Sequence, residues 1–242
     1  MMRVIVNGAC GHMGHEVLRV VEQSENACLA AAVDSFGGEG VYTSLTDDLP
    51  EADILIDFSH HTAVYDILAF AKKRSMPVII ATTGHTDDER DAIHAACGEI
   101  PVFFSANMSL GVALLVRLAK KTASVFPDAD IEIVETHHNR KLDAPSGTAM
   151  LLANAIREVR TDAELVFGRS GMSKRKKGEI GMHCLRMGNI VGIHEVHVCT
   201  QSQTITLRHE AHDRSLFADG ALAAAEFMIG KPAGLYTMQD LI

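Results

Sequence analysis

The chain has 242 residues, of which 47% are hydrophobic and 22% are charged, and its formal net charge is −9. This length allows one large or two modest domains, and the acidic balance argues against nucleic acid or an anionic membrane as the main partner. No apolar stretch reaches the roughly 18–20 residues that cross a bilayer, and the N-terminus has no signal-peptide layout, so we expect a cytoplasmic protein.

The N-terminal part of the chain alternates strand-like and helical patterns, which is typical of a parallel sheet flanked by helices. The predicted strands are Val4–Asn7, Leu29–Val33, Asp53–Phe58, Val78–Ala81 and Val102–Ser105. Helices are predicted over Met13–Glu22 and Ala63–Ala71. A third helix should begin at Thr86, because Thr86 and Glu89 have the spacing of a capping box.

After Asn107 the pattern changes. The predicted elements are a helix over Gly111–Val125, a strand over Asp130–Thr136, a helix over Gly147–Val159 and a helix over Leu216–Ile229. Residues 179–210 contain β-rich runs without intervening helices, which predicts antiparallel strands there.

A glycine-rich turn, with Gly8, Gly11 and Gly14, lies between the first predicted strand and the first predicted helix. Glycines allow a tight turn, and a helix start offers NH groups and a positive dipole end to a pyrophosphate. Asp34 ends the second strand, where a carboxylate can bond a ribose hydroxyl. A purely structural turn is the alternative.

These patterns predict an α/β protein with two domains. The first is an N-terminal Rossmann-like dinucleotide-binding domain over residues 1–108, joined by a C-terminal helix from 214–242. The second is an α+β domain with a mixed or antiparallel sheet over residues 109–213.

Asp34 also bears on the choice of cofactor. Its charge should repel a 2′-phosphate, and Ser35–Gly38 supply no Arg or Lys to hold one. His12 offsets this only when protonated. We therefore expect use of both nucleotides, with NADH preferred over NADPH.

The most informative stretch is Glu135–Ala149, which leaves a strand, crosses a polar loop and enters a helix. Pro145 followed by Ser146-Gly147-Thr148 is a helix start whose NH groups and hydroxyls can hold a carboxylate or phosphate. Just upstream lie two histidines and two cations, His137, His138, Arg140 and Lys141, which add proton donors and positive charge. The segment therefore predicts binding and protonation of an acidic substrate; a solvated capping loop is the alternative.

This segment resembles the signature of the 4-hydroxy-tetrahydrodipicolinate reductases, and the resemblance covers essentially the whole chain. Gly8–Gly14 is similar to the family's nucleotide turn, and Thr82–Gly84 and Ser105–Gly111 look like its two nicotinamide-side loops. Arg186–His194 resembles its substrate-domain strand motif, and Arg214–Tyr236 resembles its closing helix.

The resemblance implies an activity and an assembly. The family uses NAD(P)H to reduce 4-hydroxy-tetrahydrodipicolinate, a cyclic dicarboxylate imine, or its dehydrated diene, in diaminopimelate and lysine biosynthesis. A homotetramer built through the second-domain sheet is implied as well. Residues 109–213 would then be the substrate-binding and oligomerisation domain.

The resemblance also implies residue roles. His137 would act as the proton donor, and Lys141 would bind a substrate carboxylate and help to protonate carbon. His138 would contact the second carboxylate or the ring nitrogen, and the other carboxylate would be held by Ser146, Gly147 and Thr148. The cofactor would be bound by Gly8, Ala9, Cys10, Gly11, His12, Met13, Gly14, Asp34, Phe58, Thr82, Thr83, Gly84, Ser105, Ala106, Asn107 and Met108.

Three positions depart from the family pattern. His12 stands where many relatives carry Arg or Lys, Asp34 where a basic pair or Glu is common, and Met108 where Phe is frequent. These differences affect the cofactor preference or its geometry, and none removes the chemistry.

Two further patterns are candidate functional signals. His194-Glu-Val-His197 and His209-Glu-Ala-His212 have HExH spacing, and residues three apart on a strand face opposite sides, so no metal site is expected. Lys174–Lys177 is a run of four cations, read either as a mobile exposed loop or as a lid or intersubunit loop near an anionic substrate.

Two other functions stay open on the residues alone. An NAD(P)H-sensing regulator would leave the His137, His138 and Lys141 cluster without a role. Among other oxidoreductases of this fold, a phosphorylating aldehyde dehydrogenase needs an activated cysteine, whereas Cys184 and Cys199 lie in strand-like runs. A sugar dehydrogenase should lack the anion-binding helix start.

Overall fold

The computed structural model describes residues 1–242 and divides into two compact units. The first unit comprises Met1–Leu110 and Arg214–Ile242, and the second comprises Gly111–Asp213. Each contains its own sheet, of seven strands in the first unit and five in the second. No helix is long and apolar enough to cross a membrane.

The sheet of the first unit is parallel throughout. Its strands are β1 (Met2–Asn7), β2 (Ala27–Val33), β3 (Val41–Tyr42), β4 (Ile54–Asp57), β5 (Val78–Ile80), β6 (Pro101–Phe104) and β12 (Gly234–Tyr236). The order is β12-β6-β5-β4-β1-β2-β3, so the chain changes direction across the sheet beside β1. In such sheets the carboxyl ends of the strands at this switch point leave a crevice for ligands.

Four helices belong to this unit: α1 (His12–Gln23), α2 (Val64–Lys73), α3 (Asp87–Ala96) and α6 (Ser215–Met228). Because helices cover a parallel sheet on both faces, its strands are apolar runs rather than alternating ones. Val4-Ile5-Val6 and Ile54-Leu55-Ile56 are accordingly buried at every position. The predicted capping box is confirmed, since Thr86 Oγ1 accepts from Glu89 N at 3.2 Å and the Glu89 carboxylate accepts from Thr86 N at 2.8 Å.

The helix predicted over Leu216–Ile229 is confirmed, but residues 214–242, assigned to the first domain as a C-terminal helix, contain a strand as well. The helix ends at Met228, and Gly234–Tyr236 continues as β12, which pairs in parallel with β6. This strand is only three residues long, and such a short run following Pro232 has no periodicity that distinguishes it from a loop.

The second unit contains a mixed sheet of order β11-β10-β7-β9-β8. Its strands are β7 (Asp130–His137), β8 (Glu164–Phe167), β9 (Glu179–Arg186), β10 (Gly192–Cys199) and β11 (Thr204–Ala211). The mixed sheet is confirmed, but the antiparallel arrangement predicted across 179–210 is wrong for β9, which runs parallel to both β7 and β8. The connection from β9 to β10 bonds across the end of β7 (Met187 N to His137 O, 2.9 Å), so these strands flank β7 instead of forming a hairpin.

One face of this sheet packs against α4 (Leu110–Val125) and α5 (Gly147–Arg157). On β7 the core positions Ile131 and Ile133 are followed, at the same period of two, by Glu135 and His137. The face that is apolar in the middle of the sheet thus becomes polar at the carboxyl end of β7. Neighbouring strands place further polar residues on this part of the face: Cys184, Arg186 and His194.

Candidate active site

The glycine-rich turn joins β1 to α1 and leaves almost no room for side chains. Gly8 has a φ of +80°, and a Cβ there would lie 2.7 Å from the backbone of Phe58. A Cβ at Gly14 would lie 2.1 Å from the Gly8 carbonyl oxygen. Helix α1 starts after Gly11 without a side-chain cap, so its first amides stay available to an anion. The turn therefore fits a dinucleotide pyrophosphate held by backbone groups.

A cavity of ≈ 620 Å³, here called the turn cavity, opens beside this turn. Of the residues predicted to bind cofactor, it is lined by Gly8, Cys10, Gly11, Asp34 and Phe58. The Asp34 carboxylate accepts from Cys10 N at 2.9 Å and from Phe36 N at 3.0 Å, which ties the turn to the loop after β2. Asp66 supplies a second carboxylate to the wall, and no Lys or Arg lines it.

A second cavity, of ≈ 450 Å³, lies within the same unit and is called the loop cavity. Of the predicted cofactor residues, it is lined by Met13, Phe58, Thr82, Thr83, Ala106, Asn107 and Met108. Sequence reasoning missed other residues of its wall, including Ser59, His60, His61 and Arg214. The remaining predicted residues line neither cavity: Ala9, His12, Gly14, Gly84 and Ser105.

A buried carboxyl group, that of Asp57, organises the strand ends between these cavities. It accepts from Asn7 Nδ2 at 2.8 Å, Ser59 Oγ at 2.6 Å and Thr82 Oγ1 at 2.5 Å. Burial raises the pKa of Asp57, although these hydrogen bonds favour the charged form. Asp57 thereby fixes the loop that carries Thr82. The sequence signal for it is an acidic residue at the end of an otherwise apolar buried strand.

In the second unit, Glu135 connects three parts of the site. Its Oε2 accepts from His137 Nδ1 at 2.5 Å and from Arg186 Nη1 at 2.8 Å. Its Oε1 accepts from Arg186 Nη2 at 2.8 Å and from Ser146 N, just before α5, at 3.1 Å. Burial alone would raise the pKa of the Glu135 carboxyl, but hydrogen bonds from His137 and Arg186 outweigh it and hold the pKa well below its usual range.

Ser146 caps α5, and its polar atoms already have partners inside the protein. Its Oγ accepts from Ala149 N at 3.2 Å and lies 3.1 Å from His194 Nε2, and the residue is only 2% exposed. Burial lowers the pKa of His194 to about 4, and the positive charges of His137 and Lys141 act in the same direction. His194 is therefore a neutral ring behind the start of α5.

The accessible residues of the segment lie around this buried network. Lys141 Nζ pairs with Asp143 Oδ1 at 2.8 Å, and His138 follows β7 in a half-buried position. Gly147 and Thr148, the first two residues of α5, are exposed and half-buried. The chain thus brings a cation, two imidazoles and a helix start into one region of the second unit.

Arg186 and His194 belong to a motif that resembles the family's, but the sequence predicts no role for them or for Glu135. The alternation of buried positions along the strands does indicate these residues. A charged or polar residue that continues a series of buried apolar positions must find partners inside the protein. Glu135 continues the series of Ile131 and Ile133, and His194 continues that of Val198 and Val196.

The basic run at 174–177 is partly engaged with the second unit's own carboxylates. Arg175 pairs with Asp130 and Glu132, and Lys177 pairs with Asp128 at 2.8 Å. These contacts hold the run against the start of β7. Neither a mobile exposed loop nor a lid or intersubunit loop near the substrate, the two interpretations of the sequence, predicts these contacts. No group of three or more His, Cys, Asp or Glu residues is arranged to hold a metal ion.

Comparisons with known proteins agree along the whole chain. The family model described as dihydrodipicolinate reductase, N-terminus, matches residues 2–108, and the one described as dihydrodipicolinate reductase, C-terminus, matches residues 111–242. A curated 4-hydroxy-tetrahydrodipicolinate reductase from Caldanaerobacter subterraneus subsp. tengcongensis is 45% identical over 100% of this chain and 98% of its own length. One from Clostridium novyi is 41% identical with the same coverage.

Solved structures share the fold. A dihydrodipicolinate reductase from a Paenisporosarcina species, solved with bound dipicolinate, has a TM-score of 0.85 at 24% identity over 100% of both chains. An amine dehydrogenase from Mycobacterium smegmatis has a TM-score of 0.67 at 10% identity, covering 98% of this chain and 95% of its own. With two matching family models and full-length relatives above 40% identity, this chain belongs to the dihydrodipicolinate reductase family.

Proposed function

We propose that this chain catalyses the NAD(P)H-dependent reduction of 4-hydroxy-tetrahydrodipicolinate to tetrahydrodipicolinate, the reaction for which its curated relatives are named. The observation that carries the proposal is the set of hydrogen bonds to Glu135. This one buried carboxylate holds both the His137 ring and the Ser146 amide, which precedes α5. A proton donor and an anion-binding helix start are thus fixed together, as a dicarboxylate that is protonated during reduction requires.

The chain's own residues would bind the substrate carboxylates. Lys141 would exchange its partner Asp143 for a substrate carboxylate, because that ion pair is partly exposed and open to competition. The Gly147 amide and Thr148 would receive the other carboxylate at the helix start. Ser146 would support this site as the helix cap, since its amide and hydroxyl are engaged behind it. His138 would contact the ring nitrogen or a carboxylate from its half-buried position.

Proton delivery would fall to His137 and Lys141. His137 donates through Nδ1 to Glu135, so Nε2 is the atom that can release a proton to the substrate. Lys141 Nζ would offer a second proton, to a carbon of the substrate. The bound nicotinamide supplies a hydride, and one proton from the chain together with loss of water completes the overall reduction.

The cofactor would bind in the first unit, and we propose that NADH is preferred over NADPH. The backbone of the glycine-rich turn would take the pyrophosphate, and Asp34 would bond the adenosine ribose. Asp34 and Asp66 put two carboxylates on the wall of the turn cavity, where no Lys or Arg offsets them. A 2′-phosphate would be repelled there. The Thr82–Thr83 loop and Ala106–Met108 would face the nicotinamide from the wall of the loop cavity.

We also propose assembly into a homotetramer through the five-stranded sheet. On the sheet face opposite α4 and α5, the large apolar side chain of Leu185, which pairs with Thr136, is left uncovered. Light scattering should report four times the chain mass of 26.1 kDa. A monomer at micromolar concentration would contradict this assembly without affecting the assignment of the reaction.

A coupled assay tests the reaction directly. The purified protein is added to a synthase that condenses pyruvate with aspartate semialdehyde, and the absorbance of NADH or NADPH is followed. We expect oxidation of both nucleotides, and faster oxidation of NADH. Absence of oxidation with either would refute the proposed reaction, and nucleotide binding without turnover would favour a sensing regulator instead.

A further inference from the structure

The Glu135 carboxylate is saturated by its donors. A carboxylate has about four lone-pair positions, and each Glu135 oxygen lies within hydrogen-bond distance of two nitrogens. The Cys184 thiol on β9 bonds the same carboxylate and stays protonated, because burial and this bond raise its pKa to about 11. The side chain is 1% exposed, so water does not compete for these positions. Three of these positions face N–H groups that can only donate, two from Arg186 and one from the Ser146 amide, and these donors hold the pKa of Glu135 well below its usual range. The group is therefore an ion in the folded protein.

An ionised Glu135 determines which nitrogen of His137 carries hydrogen. A carboxylate only accepts, so Nδ1 of His137 must donate to it at every stage of the reaction. The neutral ring then accepts only at Nε2, and the charged ring releases its proton only from Nε2. The bond to Glu135 also orients the ring. Nε2 then points toward Gly192, where a Cβ would lie only 3.1 Å from it, so the glycine leaves space beside this nitrogen.

Several groups around His137 adjust this pairing. Arg186 binds Glu135 through two nitrogens and shares its negative charge. His194, whose ring centroid lies 5.1 Å from that of His137, adds no charge because it is neutral above pH 4 to 5. Lys141 adds a positive charge, Asp143 a negative one, and His209 lies beside His194 on β11.

We propose that Glu135 is a positioning residue that acts through His137 and through Ser146. It fixes the proton-donating atom of His137 as Nε2, and it holds the start of α5 by its bond to the Ser146 amide. Proton donor and carboxylate site are thus aligned by one side chain that touches neither substrate nor cofactor. This inference rests on the proposed function, since it concerns the alignment of that site.

The test is Glu135→Gln, which preserves shape and removes the charge. The amide can donate to His137 Nδ1, so the ring can hold its hydrogen at Nε2 and the imidazolium loses its anionic partner. We expect kcat to fall about 100-fold or more, as removal of an orienting carboxylate does in other His-dependent enzymes. The alkaline limb of the kcat profile should move to lower pH, while the Kd for NADH stays unchanged.

Glu179→Gln is the matched control. Glu179 is also buried, lies on the adjacent strand β9 and is paired with Arg169, but it does not contact His137. It should lower the melting temperature about as much as Glu135→Gln does and leave the pH profile unchanged. Equal pH profiles for wild type and Glu135→Gln, or the same shift in Glu179→Gln, would overturn the inference.

A second measurement does not depend on turnover or on the variant. Nitrogen-15 NMR of the wild-type protein reports which ring nitrogen of His137 carries hydrogen at neutral pH. Hydrogen at Nδ1 is expected, and hydrogen at Nε2 would overturn the inference even if Glu135→Gln does not fold. An inactive wild-type protein that has the Nδ1 form would instead refute the proposed reaction alone.

An independent observation concerns Phe36, whose side chain is 92% exposed on the wall of the turn cavity. Its amide is fixed by Asp34, and Gly37 follows it with a φ of +67°. A planar apolar ring beside the ribose-binding carboxylate suits stacking with a base. We infer that Phe36 forms the platform for the adenine of the cofactor, an inference that rests on the proposed cofactor site.

Fluorescence tests this inference, because the chain has no Trp. In Phe36→Trp, ADP should quench the single tryptophan, whereas nicotinamide mononucleotide should not. Phe36→Ala should raise the Kd of ADP about tenfold, as loss of one stacking contact does. Tyr65→Ala, an exposed aromatic on α2 outside the cavity wall, is the control. Unquenched Phe36→Trp with ADP bound would overturn the stacking role, and failure of wild type to bind ADP would refute the cofactor site itself.

Discussion

The two candidate binding regions are built from different parts of the chain. The glycine-rich turn in the first unit is made of backbone, and a Cβ at Gly8 or Gly14 would collide with main-chain atoms. The region around Glu135 in the second unit is made of charged side chains that come from several strands and a helix start. A backbone site is encoded by adjacent residues, whereas a side-chain site depends on partners far apart in sequence. The two should therefore fail under different substitutions.

The largest effect is expected where a charged side chain of the second unit meets the substrate. Lys141→Ala should lower kcat about 100- to 10,000-fold, because a positioned proton donor and carboxylate partner is lost. NADH binding, measured by fluorescence titration, should be unchanged, since it depends on the other unit. Lys177→Ala removes another loop lysine paired with an aspartate and should retain full activity. Unchanged turnover in Lys141→Ala would exclude a catalytic role for Lys141.

Burial of the side-chain network should also make stability depend on pH. His194 has a pKa of about 4 in the folded protein, against a usual value of 6.5. Between these values the unfolded chain binds a proton that the folded chain does not, so stability falls as the pH decreases from 6.5 to 4. The loss is about 3 kcal/mol in the unfolding free energy.

Urea unfolding at several pH values measures this dependence. Between pH 6.5 and 4, His194→Gln should lose about 3 kcal/mol less unfolding free energy than the wild type does. His94→Gln, on the exposed side of α3, should lose as much as the wild type. If His194→Gln and wild type lose stability in parallel, the acid sensitivity originates elsewhere in the network.

The backbone site should instead fail when a methyl group is added. In Gly14→Ala, the new Cβ would approach the Gly8 carbonyl oxygen to 2.1 Å, and the turn must move. We expect a loss of about 1–3 kcal/mol in the unfolding free energy and at least about tenfold weaker binding of NADH. Gly98→Ala, where a Cβ has ordinary contacts at 3.5 Å, is the control. Tight NADH binding by Gly14→Ala would mean that the turn does not hold the pyrophosphate closely.

The same contrast explains how much the sequence predicts. The parallel sheet and the capping box at Thr86 follow from local patterns, and the glycine-rich turn is recognisable as three nearby residues. The position of β9 beside β7 is not local, because two adjacent runs separated by a short loop are indistinguishable from a hairpin until the strand between them is known. The role of Glu135 depends on Arg186 and Ser146, which only the folded sheet brings to it.

The smallest expected effect is on cofactor choice, and it concerns the one side chain on which the backbone site relies. Asp34 accepts from Cys10 N and Phe36 N, so Asp34→Ala would loosen the turn as well as remove charge. Asp34→Asn removes the charge and keeps one of the two acceptors, so it loses one of the two bonds, to Cys10 N or to Phe36 N, rather than both. The ratio of kcat/KM for NADH to that for NADPH should fall about 3- to 10-fold in Asp34→Asn, because repulsion of the 2′-phosphate at a partly screened distance is worth about 1 kcal/mol.

Comparison of the two nucleotides at low and high salt separates charge from shape. The preference of the wild type for NADH should weaken as salt screens Asp34, and that of Asp34→Asn should change little. Asp66→Asn, on the same cavity wall, should shift the ratio less, because Asp66 makes no bond to the turn or to the loop after β2. If the ratio of kcat/KM for NADH to that for NADPH is the same in Asp34→Asn as in the wild type, the preference for NADH comes from the shape of the cavity. The first unit would then distinguish the two nucleotides with its backbone alone.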